Sequence, residues 1–185
     1  VQHEDSDDDS DETGKDSGKK MIYYKSGAYG WNDELECVVD TEQFEIALQN
    51  AEKADGDKKL DYLLQAIHLY EGDFLQKNGN EPWIMQLSSR YKTAFLQAAS
   101  QATEMLYESE RYSELLNVCR HVIKLNPYEE EFYLYLLKGL IKTQQLDKAQ
   151  EAYHQISELF YRQFGITPSD ELTALYKEVV ETSHM

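Results

Sequence analysis

The feature that most constrains the fold of this chain is a repeat of its apolar positions at an offset of 34 residues. Shifting the sequence against itself by this offset pairs Ala102 with Leu136, Leu106 with Leu140, Tyr112 with Leu146, Leu115 with Ala149, Cys119 with Tyr153, Val122 with Ile156, and Leu125 with Leu159. Within each copy the apolar residues recur at the spacing of an amphipathic α-helix. The sequence therefore predicts two consecutive helical hairpins built on one template.

Turn signals divide the chain after Asp40 into seven predicted helices. They are expected at about 41–54, 58–70, 82–108, 112–124, from the break at LNPYEE to about 143, at about 146–163, and from the TPSD motif onward. In the LNPYEE break, Asn126 is predicted to cap the fifth helix and Pro127 to occupy its first turn. Trp83 is predicted to lie on the buried side of the third helix, and Gly165 to end the sixth.

The predicted fold class is all-α. Residues 40–183 are expected to form a tetratricopeptide-like α-solenoid of three helix pairs plus a C-terminal capping helix. A period of 34 residues is typical of tetratricopeptide helix pairs, in which small residues let the two helices approach closely. Stacked pairs of this kind bury each other's apolar faces and so share one continuous core. An unrelated helical bundle is the alternative.

The chain before residue 40 has a different composition. Residues 1–20 contain eight acidic residues and three lysines, and we predict a disordered acidic tail because this composition cannot bury enough apolar area. Its aspartates lack the glycine and the closing glutamate of a calcium-binding loop. Residues 21–39 are predicted to form a short β-hairpin segment, since residues 22–24 favour strands and Gly27 and Gly30 suit a turn or bulge.

The formal net charge of −17 argues against several kinds of partner. A surface this negative repels nucleic acid and anionic bilayers, so this chain alone is not expected to bind either. Two cysteines, Cys37 and Cys119, make no disulfide framework and suggest a reducing, cytoplasmic setting. No apolar run approaches the ~20 residues that a membrane span needs. Because the sequence begins with Val1, we interpret it as a piece of a longer protein.

Several stretches resemble one family. They are LYEGDFL (69–75), Trp83, RYKTAFLQAA (90–99), LNPYEEEFYLYLLKGL (125–140) and AYHQISELFYRQFGITPSDELTALY (152–176). Together they resemble the bacterial transcriptional activator domain, the tetratricopeptide-like helical domain of antibiotic-regulatory activators and related winged-helix regulators. The resemblance covers residues 40–180, and its FG to PS, EL and LY ending is the most specific part. In addition, SGAYGWN (26–32) resembles the end of the final hairpin of a winged-helix domain.

The resemblance implies a regulatory or oligomerisation domain of a bacterial transcription factor. Contact with DNA would be made by an upstream winged helix, and the helical domain would form a homodimer or bind a partner protein of the transcription machinery. The alternative is a free-standing tetratricopeptide scaffold that captures a peptide or a partner protein in its concave groove. No cofactor and no enzymatic activity are expected, because the sequence contains no phosphate-binding glycine loop, paired-histidine zinc motif or nucleophile elbow.

Two groups of candidate binding residues follow from these interpretations. The first helices of stacked pairs line a concave surface, and the repeat register directs eight residues towards it: Gln97, Ser100, Glu104, Tyr107, Glu131, Leu134, Lys138 and Ile141. The alternative for Tyr107, Leu134 and Ile141 is packing against the seventh helix or a flanking domain. Lys19, Lys20 and Lys25, beside the candidate hairpin, are candidates for contact with a DNA backbone, with linker lysines as the alternative.

Overall fold

The computed structural model describes residues 22–25, 27–31, 39–73 and 81–183. The chain divides into two units, residues 1–38 and 39–185, and each is described by itself. The predicted acidic tail lies outside the described residues.

The described part of the first unit is a two-stranded antiparallel hairpin. Strand β1 is Ile22–Lys25 and strand β2 is Ala28–Trp31, with Ile22 opposite Trp31 and Lys25 opposite Ala28. Only two residues connect the strands, and Gly27 has a positive φ of 81°. Tight hairpin loops need positive φ, which glycine adopts without a steric penalty.

The described part of the second unit contains seven helices. They are α1 Asp40–Lys53, α2 Gly56–Leu69, α3 Pro82–Glu108, α4 Tyr112–Leu125, α5 Glu130–Lys142, α6 Leu146–Phe164 and α7 Asp170–Ser183. Pro82 occupies the first turn of α3, where its missing N–H costs nothing. Gly165 ends α6 in the left-handed conformation, with φ 68°, as predicted. None of the helices in the described ranges is both long enough and apolar enough to cross a membrane.

The start of α5 differs from the prediction. Asn126 follows the last residue of α4 and donates its N–H to the Val122 carbonyl at 2.7 Å. Its own carbonyl accepts from the Glu129 N–H at 3.4 Å, which makes residues 126–129 a turn with Pro127 at the second position. Proline suits that position of a β-turn as well as a first helical turn. The prediction that Asn126 caps α5 and that Pro127 lies in its first turn was therefore wrong.

Each helix packs against the next one along the chain, and α5 also contacts both α3 and α7. The core is a single cluster of apolar side chains contributed by all seven helices, and Phe95, Leu106, Leu115, Leu137 and Ile156 are among its fully buried members. Because α5 contacts both, α3, α5 and α7 lie side by side in the order α3, α5, α7.

Burial repeats at the offset found in the sequence. Ala102 and Leu136 are both buried, as are Leu106 and Leu140, and Val122 and Ile156. The prediction that Trp83 lies on the buried side of α3 was wrong, because its side chain is 55 % exposed whereas that of Ile84 is 2 % exposed. One residue step turns a helix by about 100°, so Ile84 shares the face of Phe95, three full turns later, and Trp83 does not.

Candidate partner-binding face

The eight predicted groove residues lie on two adjacent helices. On α3, Gln97 and Glu104 are exposed, and Ser100 and Tyr107 are half-buried. The steps of three and four residues between them place all four on one side of that helix. On α5, Glu131 is exposed, whereas three further residues are half-buried: Leu134, Lys138 and Ile141. Each helix thus carries a continuous row of the predicted residues.

A direct hydrogen bond joins the two rows. The Ser100 hydroxyl on α3 donates to Oε1 of Glu131 on α5 at 2.6 Å. Because a hydrogen bond to a charged acceptor is short and strong, it fixes the spacing of the two helices at this point. The structure therefore brings Ser100 and Glu131, which are distant in sequence, into contact on this face.

Tyr135 is a central residue of the face that the sequence interpretation missed. Its ring lies 5.9 Å from the Tyr107 ring in an edge-to-face arrangement, and the Lys138 ammonium lies 5.3 Å from the Tyr135 ring centroid. Burial raises the pKa of the Tyr135 hydroxyl, and the nearby carboxylates of Glu104 and Glu131 raise it further. Its position four residues after Glu131 was the signal that could have identified it.

The face continues onto α7. The Lys138 ammonium on α5 pairs with Oε1 of Glu171, in the first turn of α7, at 3.5 Å. Beside it, Oε1 of Glu130 accepts the backbone N–H of Ser169 at 2.7 Å. We call the surface formed by the eight predicted groove residues, Tyr135 and Glu171 the α3–α5–α7 face. Sequence reasoning missed Glu171 because nothing in the 34-residue register places α7.

The apolar members of this face belong in part to the core. Tyr107, Leu134 and Ile141 are half-buried and pack against the core cluster. Beside them, the carboxylates of Glu104 and Glu108 on α3 both raise the pKa of the Tyr135 hydroxyl. The face is thus acidic with apolar and aromatic patches. Such a surface suits a partner that presents basic and apolar side chains.

The structure leaves the predicted DNA-backbone contacts undescribed. Lys19 and Lys20 lie outside the described residues, and Lys25 is described only as the last backbone position of β1.

Two helical histidines have separate packing roles. Nε2 of His121 lies 3.1 Å from the Tyr70 carbonyl oxygen, and Nε2 of His154 lies 3.2 Å from the Tyr176 hydroxyl. Within the described ranges, no three His, Cys, Asp or Glu side chains are grouped as metal ligands.

The family model described as the bacterial transcriptional activator domain matches residues 39–180. The chain belongs to this family. The resemblance drawn from the sequence is confirmed, and the matched residues form a helical domain of transcription regulators.

Solved structures support the fold of this bacterial transcriptional activator domain. Mycobacterium tuberculosis EmbR, solved in complex with a low-affinity phosphopeptide, superposes with a TM-score of 0.58 at 14 % sequence identity. The match covers 88 % of this chain and 44 % of the EmbR chain, so the chain spans less than half the length of that regulator. No curated protein sequence matches the chain.

Proposed function

We propose that this bacterial transcriptional activator domain is the regulatory and oligomerisation module of a cytoplasmic transcription factor. In this proposal residues 40–183 are a tetratricopeptide-like α-solenoid of three helix pairs with α7 as the capping helix. Residues 21–39 are the end of an upstream winged helix or a linker, and residues 1–20 are an acidic tail. The winged helix contacts DNA, and the helical module joins two copies of the regulator or couples it to a partner protein or a signal.

The observation that carries this proposal is the continuity of the α3–α5–α7 face. Three helices contribute to it, and the Ser100–Glu131 and Lys138–Glu171 contacts connect α3 to α5 and α5 to α7 across it. At its centre the edge-to-face pair of Tyr107 and Tyr135 is half-buried. Tyrosines that present one apolar side and one polar tip are enriched in protein–protein interfaces.

The mechanism follows from geometry. If two copies pair across this face about a two-fold axis, the spacing of their DNA readers becomes fixed. A fixed spacing matches two half-sites on DNA and raises the affinity for the paired site through effective concentration, with no new base contacts. The helical module then regulates transcription by controlling how many readers engage the operator.

A fusion experiment tests this mechanism. The complete chain is fused behind a monomeric winged helix with a known recognition sequence, and binding is measured on DNA carrying one or two half-sites. We expect the fusion to bind the paired site at least about tenfold more tightly than the winged helix alone, while single-site affinity stays unchanged. Equal affinity gains on both DNAs, or no gain on either, would remove the oligomerisation function.

Peptide capture on the same face is the second candidate. It is favoured by the acidic surroundings of Tyr135, where Glu104, Glu131 and Glu108 all raise the pKa of the hydroxyl. The phosphopeptide bound to EmbR is consistent with protein partners for regulators of this fold. In this case the chain stays monomeric, and a partner peptide with basic and apolar side chains protects the face from hydrogen exchange.

A further inference from the structure

A second surface, on the other side of α5, differs in charge from the rest of the molecule. A groove of about 320 Å³ runs between α4 and α6 with α5 beneath it. Its floor is apolar and is formed by Tyr133, Leu136 and Leu140 of α5. Leu136 lies about 200° around the helix from Lys138, so this surface is separate from the α3–α5–α7 face. We call it the α4–α6 groove.

The rim of the α4–α6 groove is basic. Arg120 and Lys124 line it from α4 and Lys148 lines it from α6, and all three side chains are exposed. Glu151 is the one acidic residue among the described residues of the groove, and its carboxylate accepts from Gln155 Nε2 at 3.4 Å. This excess of cations stands out in a chain whose formal net charge is −17.

The cations of the rim are not neutralised within the described part of the protein. Arg120 and Lys124 form no ion pair with a described carboxylate, and the Lys148 ammonium donates instead to the Gln145 amide oxygen at 2.7 Å. Arg120 and Lys124 are four residues apart on one helix, where like charges cost a few tenths of a kcal/mol.

We propose that the α4–α6 groove binds an acidic amphipathic helix of a partner protein. Apolar side chains repeated at helical spacing contact the half-buried Ile123 and the small exposed parts of the floor, and the rim cations pair with carboxylates that flank them. The volume is at the lower end of the ~300–1,000 Å³ range of pockets that enclose small-molecule ligands, which fits a few side chains from a docked helix. Nucleic acid is disfavoured as the occupant because its continuous row of phosphates would extend past the three rim cations onto a chain of net charge −17, whereas a helix can place its few carboxylates at those cations alone.

The proposal is tested by fluorescence anisotropy on the complete chain. The probe is a labelled helical peptide of about 18 residues, long enough to form a helix, with leucines at positions i, i+3, i+4 and i+7 and glutamates on the flanks. Two matched peptides replace either the glutamates by lysine or the leucines by glutamine. We expect the first peptide to bind with micromolar affinity, weakening as salt is raised, and both matched peptides to bind at least about tenfold more weakly.

Variants locate the binding site. The double reversal Arg120→Glu, Lys124→Glu is expected to weaken binding of the acidic peptide at least about tenfold, and the milder Arg120→Gln, Lys124→Gln by less. Lys53→Glu, Lys58→Glu is the matched control, because both lysines are exposed and lie outside the groove, and it should retain the affinity. Circular dichroism verifies that each variant is folded.

Each remaining outcome is informative. If the acidic peptide does not bind, or binds equally well to the double reversal, the groove is not such a site. If the double reversal instead abolishes self-association of the chain in light scattering, the occupant is a second copy and the proposal is overturned. Glu104→Lys, on the α3–α5–α7 face, should leave peptide binding unchanged, so this result is independent of the proposed oligomerisation function.

Discussion

Glu110 and Gln144, which are 34 residues apart, adopt the same left-handed backbone conformation with φ 58°. Each lies two residues after the end of a helix, α3 for Glu110 and α5 for Gln144. The Arg111 N–H donates to the Leu106 carbonyl at 2.9 Å, and at the equivalent position the Gln145 N–H donates to the Leu140 carbonyl at 2.8 Å. The two helices thus end in the same capping motif, residue for residue.

The side chains of this motif repeat as well. The Ser109 hydroxyl donates to the Met105 carbonyl at 2.7 Å, and the Thr143 hydroxyl donates to the Gly139 carbonyl at 2.9 Å. The sequence offset therefore reports a shared three-dimensional template and not only a shared hydrophobic pattern.

The left-handed residues offer a direct test of this template. The left-handed conformation costs residues other than glycine roughly 1 kcal/mol. A change to glycine removes this cost, but part of the gain in stability is lost because glycine is more flexible in the unfolded chain. We expect Glu110→Gly and Gln144→Gly each to raise the free energy of unfolding by about 0.5 kcal/mol. The β-branched changes Glu110→Val and Gln144→Val should lower it by about 1 kcal/mol or more. Urea denaturation measures these differences, and opposite signs at the two sites would show that they are not equivalent.

At Gly139, α5 packs closely against leucine side chains of α4. A Cβ atom there would lie 3.1 Å from Leu116 Cδ2 and 3.2 Å from Leu115 Cδ2. Alanine adds only this atom and gains about 1 kcal/mol of helix propensity, so we expect Gly139→Ala to be nearly neutral. Gly139→Val should cost about 1–3 kcal/mol by overpacking. Thermal melts measure both effects. Met105→Val, at the equivalent half-buried position of α3, is the matched control.

Cys119 is predicted to be chemically inert in the folded protein. Its side chain is fully buried, and burial raises the pKa of the thiol from 9.0 to about 12. The thiolate is the reactive species, so a Cys37→Ser variant should not react with Ellman's reagent at about pH 8 until urea is added. Rapid labelling of the native protein would mean that the α3–α4–α5 packing opens readily.

The same shift predicts how stability changes with pH. A thiol whose pKa is raised by folding favours the folded state fully below pH 9.0, and this contribution is lost as the pH rises towards about 12. Tyr70 acts in the same direction, because burial raises the pKa of its hydroxyl to about 12. We therefore expect the urea midpoint to fall steadily above about pH 9. A midpoint that stayed constant or rose in this range would contradict the burial of both groups.

Apolar burial, and not the ion pair, is predicted to hold α7 in place. Leu172 is fully buried, so Leu172→Ala should cost about 2–5 kcal/mol. Lys138→Ala removes the pair with Glu171, whose side chain is 68 % exposed, together with the contact to the Tyr135 ring, and should cost about 1 kcal/mol. Hydrogen exchange of the α7 amides reports both effects. Equal losses would show that the ion pair contributes as much as the core contact.

The parts of the fold that follow from local rules were predictable from the sequence. The limits of α3 agree with the prediction because Pro82 begins the helix and its apolar stripe continues to Leu106. The turn at Asn126 was misassigned because proline suits both a β-turn and a first helical turn. Trp83 was misplaced because the prediction relied on the large, apolar side chain and not on its angular position around the helix.

The candidate site was only partly predictable for a related reason. The repeat register located Ser100 and Glu131 because it relates α3 to α5, and the two residues are in contact. The same register says nothing about α7, so the partner of Lys138 was missed. The α4–α6 groove was missed because Arg120 and Lys124 are far from Lys148 in sequence, and only the packing of α4 beside α6 brings these cations to one groove.

Light scattering of the complete chain tests most directly whether the α3–α5–α7 face pairs two copies. We expect a concentration-dependent mass that approaches twice 21.6 kDa, and a monomer for Gln97→Lys, Glu104→Lys. Glu42→Lys, Gln65→Lys changes the charge equally at exposed positions of α1 and α2 and should preserve the dimer. A wild-type chain that stays monomeric at every concentration, or a dimer that the face variant leaves intact, would contradict the account.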